Sequence, residues 1–313
     1  MRKLRIGVIS MFYYSHPFCV GLASYYFNLV TSLTKLGHQV YLVTGGSAGQ
    51  GITSQAMLVG RVNEMSQASV PQSLEETVFG RLKRLASRLL FSYRAYRKVR
   101  SLDSSVGLDV VVAPELFGQG FFVALGMRKK LFTRIHGPTY LGDRYNERYR
   151  FSWIPRILSW PEKWQTRMSR GISVASRHLA AVIADDWKIS QDRIQVVPNS
   201  VQVDWVRNLG AQAEREIPGD YLLYFGRLEK GKGVHILSRG LPAVLSRRPD
   251  IQMVFVGKDF GLQQEILTHN RAFQDRILFF DTMEKGRLFA AVRSAKLVVL
   301  RRLSAISNSV MER

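Results

Sequence analysis

The sequence predicts an α/β protein made of two doubly wound domains. Short apolar runs alternate with amphipathic stretches along nearly the whole chain, the pattern of parallel strands joined by helices. Glycine or polar loops close most of the apolar runs, which puts loops at the carboxyl ends of the strands, where open α/β sheets bind ligands. The length of 313 residues corresponds to about two domains. The alternation is interrupted over residues 201–219, where polar residues and Pro218-Gly219 intervene. The expected domains are therefore residues 1–200 and 201–313.

Arg5 to Met11 is apolar and β-prone, and a loop with His16, Pro17 and Gly21 follows. Leu22, Tyr25, Tyr26, Leu29, Val30, Leu33 and Leu36 then recur at helical spacing, with Gly37 as a helix stop. Val40 to Val43 forms the next strand, completing a right-handed βαβ unit. Residues 45–75 are rich in glycine and serine and read as loop, with a short strand near Ala56–Val59. Leu74 to Leu102 reads as a long basic helix. Its apolar stripe is Leu82, Leu85, Leu89, Tyr93 and Tyr96, with Arg81, Arg84, Arg88 and Arg97 around it. Such a helix either packs its stripe on a sheet or lies on an anionic membrane. Strands are expected at Leu108–Ala113 and Leu131–Ile135, with a helix from Gly118 to Arg128 between them and His136-Gly137 closing the second. Phe151–Arg170 reads as a kinked helical excursion. Gly171–Ala175 as strand, Ser176–Ala184 as helix and Ile194–Val197 as strand complete the half.

The second half opens on Tyr221–Leu237, YLLYFGRLEKGKGVHIL: an apolar strand, Gly226, a loop bearing Arg227, Lys230 and Lys232, and a helix starting near Gly233. Glycine permits close backbone approach, a helix N-terminus offers N–H groups and positive dipole, and the cations neutralise an anion. An ordinary βα turn with a basic loop fits the same letters. Gly226 to Lys232 also fits the start of a P-loop, but Gly233 stands where Ser or Thr would hold Mg²⁺. Strands at Ile251–Val256, Arg276–Phe280 and Lys296–Leu300 alternate with helices near Leu262–His269 and Glu284–Ser294.

Lys and Arg number 45 against 24 Asp and Glu, a net charge of +21. That field favours polyanions: nucleic acid, an anionic membrane face or phosphorylated substrates. Cys19 is the sole cysteine, so no internal disulfide forms, which fits a reducing compartment. The basic, apolar N-terminus is interrupted by Ser10 and Ser15 and reads as a first strand rather than a signal peptide. No run reaches the ~18 apolar residues of a membrane span. A cytoplasmic protein, peripheral on the inner membrane face or free of it, is the expectation.

Several segments, in order, resemble the retaining family-4 glycosyltransferases. VGLASYYFNLVTSLTKLGHQV is similar to that family's first helix, with Gly21 at its second glycine, Val20 at its first, and Gly37-His38 at its end. TRIHGP resembles its strand-ending His-Gly, and VVPNSV its Asn-Gly segment with Ser200 for the glycine. FGRLEKGKG matches its Gly-Arg and Lys-Gly signature, and VFVGKD its next strand and glycine.

The resemblance implies a GT-B architecture, two Rossmann-like domains facing a cleft, and transfer of a hexose from a UDP- or GDP-sugar to a glycan or lipid-linked acceptor. It implies catalytic roles for His136 at the donor sugar and for Arg227 and Lys232 on the diphosphate. The implied donor-binding residues are Gly21, Asn199, Gly226, Arg227, Lys232, Gly257 and Glu312. No cofactor beyond the nucleotide-sugar is implied, and no metal; the chain has no Asp-x-Asp. Arg301-Arg302 replace the family's Pro-Ser, and Ser304, with seven residues between it and Glu312, stands where the family has the first of two acids. The second domain is therefore expected to lack roughly two βα units and to leave an apolar strand edge uncovered. The alternatives are a degenerate relative with weak or no activity and, on charge alone, a nucleic-acid-binding protein, for which no specific recognition motif is present.

Overall fold

The computed structural model describes residues 2–13, 20–45, 57–62, 78–145, 158–201, 203–211 and 217–300. Its chain divides into two compact units. The first takes in the described residues to Arg144 and from Leu158 to Ser200. The second runs from Val201 to Leu300 and includes Tyr145.

The first unit begins with β1 (Arg5–Ser10), α1 (Val20–Lys35), β2 (Gln39–Gly45), β3 (Met57–Val62) and α2 (Val78–Val106). There follow β4 (Val110–Pro114), a 3-10 turn at Leu116–Gly118, α3 (Phe121–Met127), β5 (Leu131–Ile135), α4 (Thr139–Tyr145), α5 (Trp160–Met168), β6 (Gly171–Val174), α6 (Arg177–Trp187) and β7 (Ile194–Val196). The strands form one parallel sheet in the order β3-β2-β1-β4-β5-β6-β7. Central strands covered on both faces need apolar residues at every position, which is why β1 and β2 read as continuous runs rather than alternations. Ile6, Val8, Ile9, Leu42 and Val43 are all buried. Each fully buried Val, Leu or Ile contributes roughly 1.5–3 kcal/mol. The order reverses between β1 and β4, and just past those strands Met11 N donates to Gln119 Oε1 at 2.7 Å.

Helix α1 packs Ala23, Tyr26 and Val30 inward and ends at Lys35, before Gly37 with φ +83°. Leu36, expected on the packed stripe, falls past that end and is exposed. The long basic helix is present, but its packed face follows the expected stripe only in part: Tyr96 packs on the core. Phe91, Ser92, Ala95, Val99 and Leu102 are buried, whereas Tyr93 is exposed. Small residues decide this face: Ser92 and Ala95 let the helix approach closely, and Ser92 Oγ accepts from Phe122 N at 3.3 Å. The helix expected over Gly118–Arg128 is shortened at its start, because Phe117 and Gly118 both take left-handed φ values of +63° and +64°. Of the tryptophan-rich excursion, α5 is described; residues 151–157 lie outside the described residues.

The second unit holds α7 (Val203–Ala211), β8 (Asp220–Phe225), α8 (Val234–Leu245), β9 (Ile251–Val256), α9 (Gln263–His269), β10 (Ile277–Phe280), α10 (Lys285–Ser294) and β11 (Leu297–Val298). Its parallel sheet runs β10-β9-β8-β11, again reversing beside the strand that starts the unit. The stretch read as a polar interruption contains α7. This helix lies on α10, where an added Cβ at Gly210 would stand 3.0 Å from Phe289 Cβ. Leu297 and Leu300, at the outer edge, are 58% and 42% exposed. Both units thus carry parallel Rossmann-like sheets, as the alternation predicted. Among the described residues no helix is long and apolar enough to cross a membrane.

Candidate functional site

In the second unit, β8 delivers the chain to Gly226, whose φ of +139° turns it sharply at the point where the strand order reverses. Gly226 N still donates to Val256 O at 2.8 Å, and Gly257 N donates to Phe280 O at 2.8 Å, so the two glycines continue the sheet ladder. Their backbones touch. A Cβ on Gly257 would lie 2.1 Å from the Gly226 carbonyl oxygen, which leaves room for hydrogen alone. Gly257 is therefore demanded by the neighbouring turn itself.

Arg227 follows. Tyr224 Oη donates to the Arg227 carbonyl at 3.0 Å and pins its backbone. The side chain is about half exposed and pairs with Glu229 at 2.8 Å, while Glu229 is buried and its Oε2 has no partner. The guanidinium also stands 5.8 Å from the Phe260 ring centroid, with Lys258 Nζ 6.0 Å from the same ring. Lys230–Lys232 forms a 3-10 turn, and Gly233, left-handed at φ +70°, leads into α8. A glycine turn and a helix start thus flank Arg227, Lys230 and Lys232. This arrangement can neutralise an anion at a helix N-terminus.

In the first unit, β5 ends at His136-Gly137, with Gly137 at φ +145°. The imidazole edges onto Tyr25 at 4.6 Å between centroids and onto Tyr26 at 5.6 Å. Its Nε2 is buried without a hydrogen-bond partner. Burial, aided by the Arg134 charge, pulls its pKa down to about 3, so the ring is neutral. Tyr25 lies one helical turn beyond Gly21 and on the same face, which aligns Gly21, Tyr25 and His136. A Cβ at Gly21 would meet no atom within 4 Å, so packing within the described protein does not require glycine there.

Asn199 is drawn into the same group. Its Oδ1 accepts from Arg134 Nη2 at 2.7 Å, and the Arg134 guanidinium lies over the Tyr25 ring at 5.1 Å. Asn199 therefore engages a buried arginine that the sequence reading passed over. Glu115, also missed, accepts from both His136 N and Gly137 N, at 2.9 and 2.7 Å. Beneath it, Glu162 accepts from Phe117 N and Thr139 N at 2.9 Å each, and from Thr139 Oγ1. Burial raises the pKa of both carboxyls, that of Glu115 to about 8 with the neighbouring Glu162 adding to it. A charged residue inside or just after an apolar run was the available signal for Arg134 and Glu115; Glu162 offered none. Glu312, with Arg301, Arg302 and Ser304, lies outside the described residues. Among the described residues no group of three or more His, Cys, Asp or Glu side chains is placed to hold a metal.

Residues 20–205, more than half of the chain, match the family model for Glycosyltransferase Family 4. The chain belongs to this family. A segment of 144 residues is 26% identical to the GDP-mannose:cellobiosyl-diphosphopolyprenol alpha-mannosyltransferase of Xanthomonas campestris, covering 44% of this chain and 37% of that enzyme. The chain therefore matches little more than a third of that relative's length. Among solved structures, sucrose-phosphate synthase from Thermosynechococcus elongatus superposes with a TM-score of 0.65 at 15% identity, over 97% of this chain and 78% of that one. The catalytic domain of starch synthase IV from Arabidopsis thaliana, bound to ADP and acarbose, gives 0.63 at 13%, over 96% and 79%. At such identities these two establish the fold alone, and it is the one the family resemblance implied.

Proposed function

We propose that this family member is a glycosyltransferase that moves a hexose, with retention, from a UDP- or GDP-sugar to a glycan or lipid-linked acceptor without a metal. The half-exposed Arg227, set on a glycine turn at the switch point of the second sheet, is the observation that carries this reading. A guanidinium there grips a diphosphate through paired N–H groups, and Lys232 adds a point charge before α8. Together they stabilise the charge that grows on the leaving phosphate as the glycosidic bond breaks. Neutral His136 offers a hydrogen bond to a sugar hydroxyl from Nε2 rather than a positive charge. Gly21 leaves the start of α1 open to a ligand. The donor in the Xanthomonas relative's name, GDP-mannose, favours the guanine nucleotide. Exposed Lys83, Arg94, Arg97, Lys98 and Arg100 on α2 support an anionic membrane face as the place where a lipid-linked acceptor is met.

One titration tests the reading. GDP, UDP and their sugars are titrated into the protein by calorimetry with EDTA present, with and without vesicles containing anionic lipid. Saturable binding of one nucleoside diphosphate is expected, weakened about tenfold or more in Arg227→Ala, since a charge-assisted hydrogen bond contributes roughly 1.5–3 kcal/mol. Absence of binding to every nucleotide tested would overturn the proposal, and binding only with added Mg²⁺ would overturn its metal independence. Protein that stays in the supernatant with vesicles at low salt would remove the membrane from the account.

A further inference from the structure

We propose that Glu115 is the positioning residue of the His136–Gly137 turn, its Oε1 gathering two successive amides and thereby setting where the imidazole stands. The inference rests on the reading that places the donor sugar at His136. Strands β4 and β5 run parallel with Pro114 opposite Arg134, and Glu115 N donates to Arg134 O at 3.1 Å. That bond fixes Glu115 in register one residue past the end of β4. From there its side chain crosses to the next strand's turn and takes the His136 and Gly137 amides on one oxygen. The Gly137 amide donates to this carboxyl, so the side chain does for the turn what a neighbouring strand does for β5. Above the turn, Tyr25 and Tyr26 stand against the ring. Glu115 on the backbone amides and the two tyrosines on the ring together restrict where the imidazole stands.

The other oxygen, Oε2, is buried and has no partner. The charged and titratable groups around it are Glu162 from α5, itself within the field of Arg88 from α2, then Tyr26 from α1, and Arg134 and His136 from β5 and its turn. Burial and Glu162 keep Glu115 protonated up to about pH 8. Oε1 serves the amides, so the proton belongs on Oε2. The neutral acid is then the form that holds the turn at neutral pH, and glutamine is its uncharged equivalent: the amide oxygen can replace Oε1, and the NH₂ can replace the O–H.

Amide NMR of the full chain reads this directly. The His136 and Gly137 amide resonances are expected to titrate together with a midpoint near pH 8 and to stop doing so in Glu115→Gln. Transfer, or hydrolysis of the sugar-nucleotide, is expected to fall on the order of 10²-fold in kcat in Glu115→Ala, the cost of a misplaced group. KM for the donor should change little, and Glu115→Gln should restore most of kcat with the alkaline limb of the pH profile gone. Amides that do not titrate, amides that still titrate in Glu115→Gln, or equal kcat losses in the Gln and Ala variants would each overturn the proposal. If Glu115→Ala does not fold, the glutamine comparison and the resonances still decide. Coupled amide titration in a protein that turns over no sugar-nucleotide would leave Glu115's hold on the turn standing and defeat the functional reading instead.

Discussion

Gly257→Ala should damage the second sheet at the carboxyl ends of its strands. The added methyl would sit 2.1 Å from Gly226 O and 2.7 Å from Gly226 C, both well inside contact distance. Neither atom is a flexible side-chain tip, so relief requires the Gly226 turn to retreat by about an ångström. Two ladder bonds resist that movement, Gly226 N to Val256 O and Gly257 N to Phe280 O. Leaving buried partners of this kind unpaired costs roughly 1–3 kcal/mol each. A non-glycine residue at φ +145° adds about 1–3 kcal/mol of backbone strain. Even with one bond lost, the total is about 2–6 kcal/mol, a large share of the 5–15 kcal/mol typical of a folded protein. Hydrogen exchange by mass spectrometry, on peptides spanning β8 to β9, measures it locally. At ~1.4 kcal/mol per tenfold, amide exchange there should quicken by at least about 30-fold, with β1 and β2 as the comparison. Exchange within threefold of the parent at β8 and β9 would refute the argument that these backbones cannot part cheaply.

Gly21→Ala should do the reverse. Open space around the new Cβ and a helical backbone predict a protein more stable by about 0.5–1 kcal/mol in thermal unfolding. Nucleoside diphosphate or donor affinity should nonetheless drop tenfold or more, and unaltered affinity would strip Gly21 of its assigned role. His136 predicts an acid limb. Its folded pKa of about 3 lies below the ordinary 6.5, so its contribution is fully present above pH 6.5 and is lost as pH falls towards 3. The gap of about 3.5 pH units corresponds to on the order of 5 kcal/mol. Glu115 acts oppositely, its contribution being complete below 4.5 and lost as pH rises towards about 8. Urea unfolding against pH should therefore show a plateau between 4.5 and 6.5 from this pair. The acid limb should flatten in His136→Gln; a limb of the same slope in that variant would assign it to other groups.

The eleven described strands were all legible in the sequence, the central ones because strands buried on both faces have no choice but unbroken apolar runs. Helices were less so. In α2 Tyr96 of the marked stripe packs on the core while Tyr93 is exposed, since closeness over Ser92 and Ala95 is a matter of size that hydrophobicity does not record. Helix α7 went unseen in a polar stretch. Of the candidate site, the turn residues were readable: Gly226 and His136 each follow directly on a strand, and Arg227 comes one residue later. Their supports were not. Glu115, Arg134 and Glu162 act across 21 to 65 residues of sequence, and only a folded sheet brings such partners together.

Every strand pairing described is parallel. A parallel pair has no hairpin to start from, so each of these sheets must close a loop long enough to hold a crossover before its first strand pair forms. The route to the native state thus lacks cheap local steps, and half-built sheets expose apolar edges while the chain searches. For this protein the hazard lies in the time spent assembling, and slower synthesis or chaperone assistance should raise yield more than any single stabilising substitution.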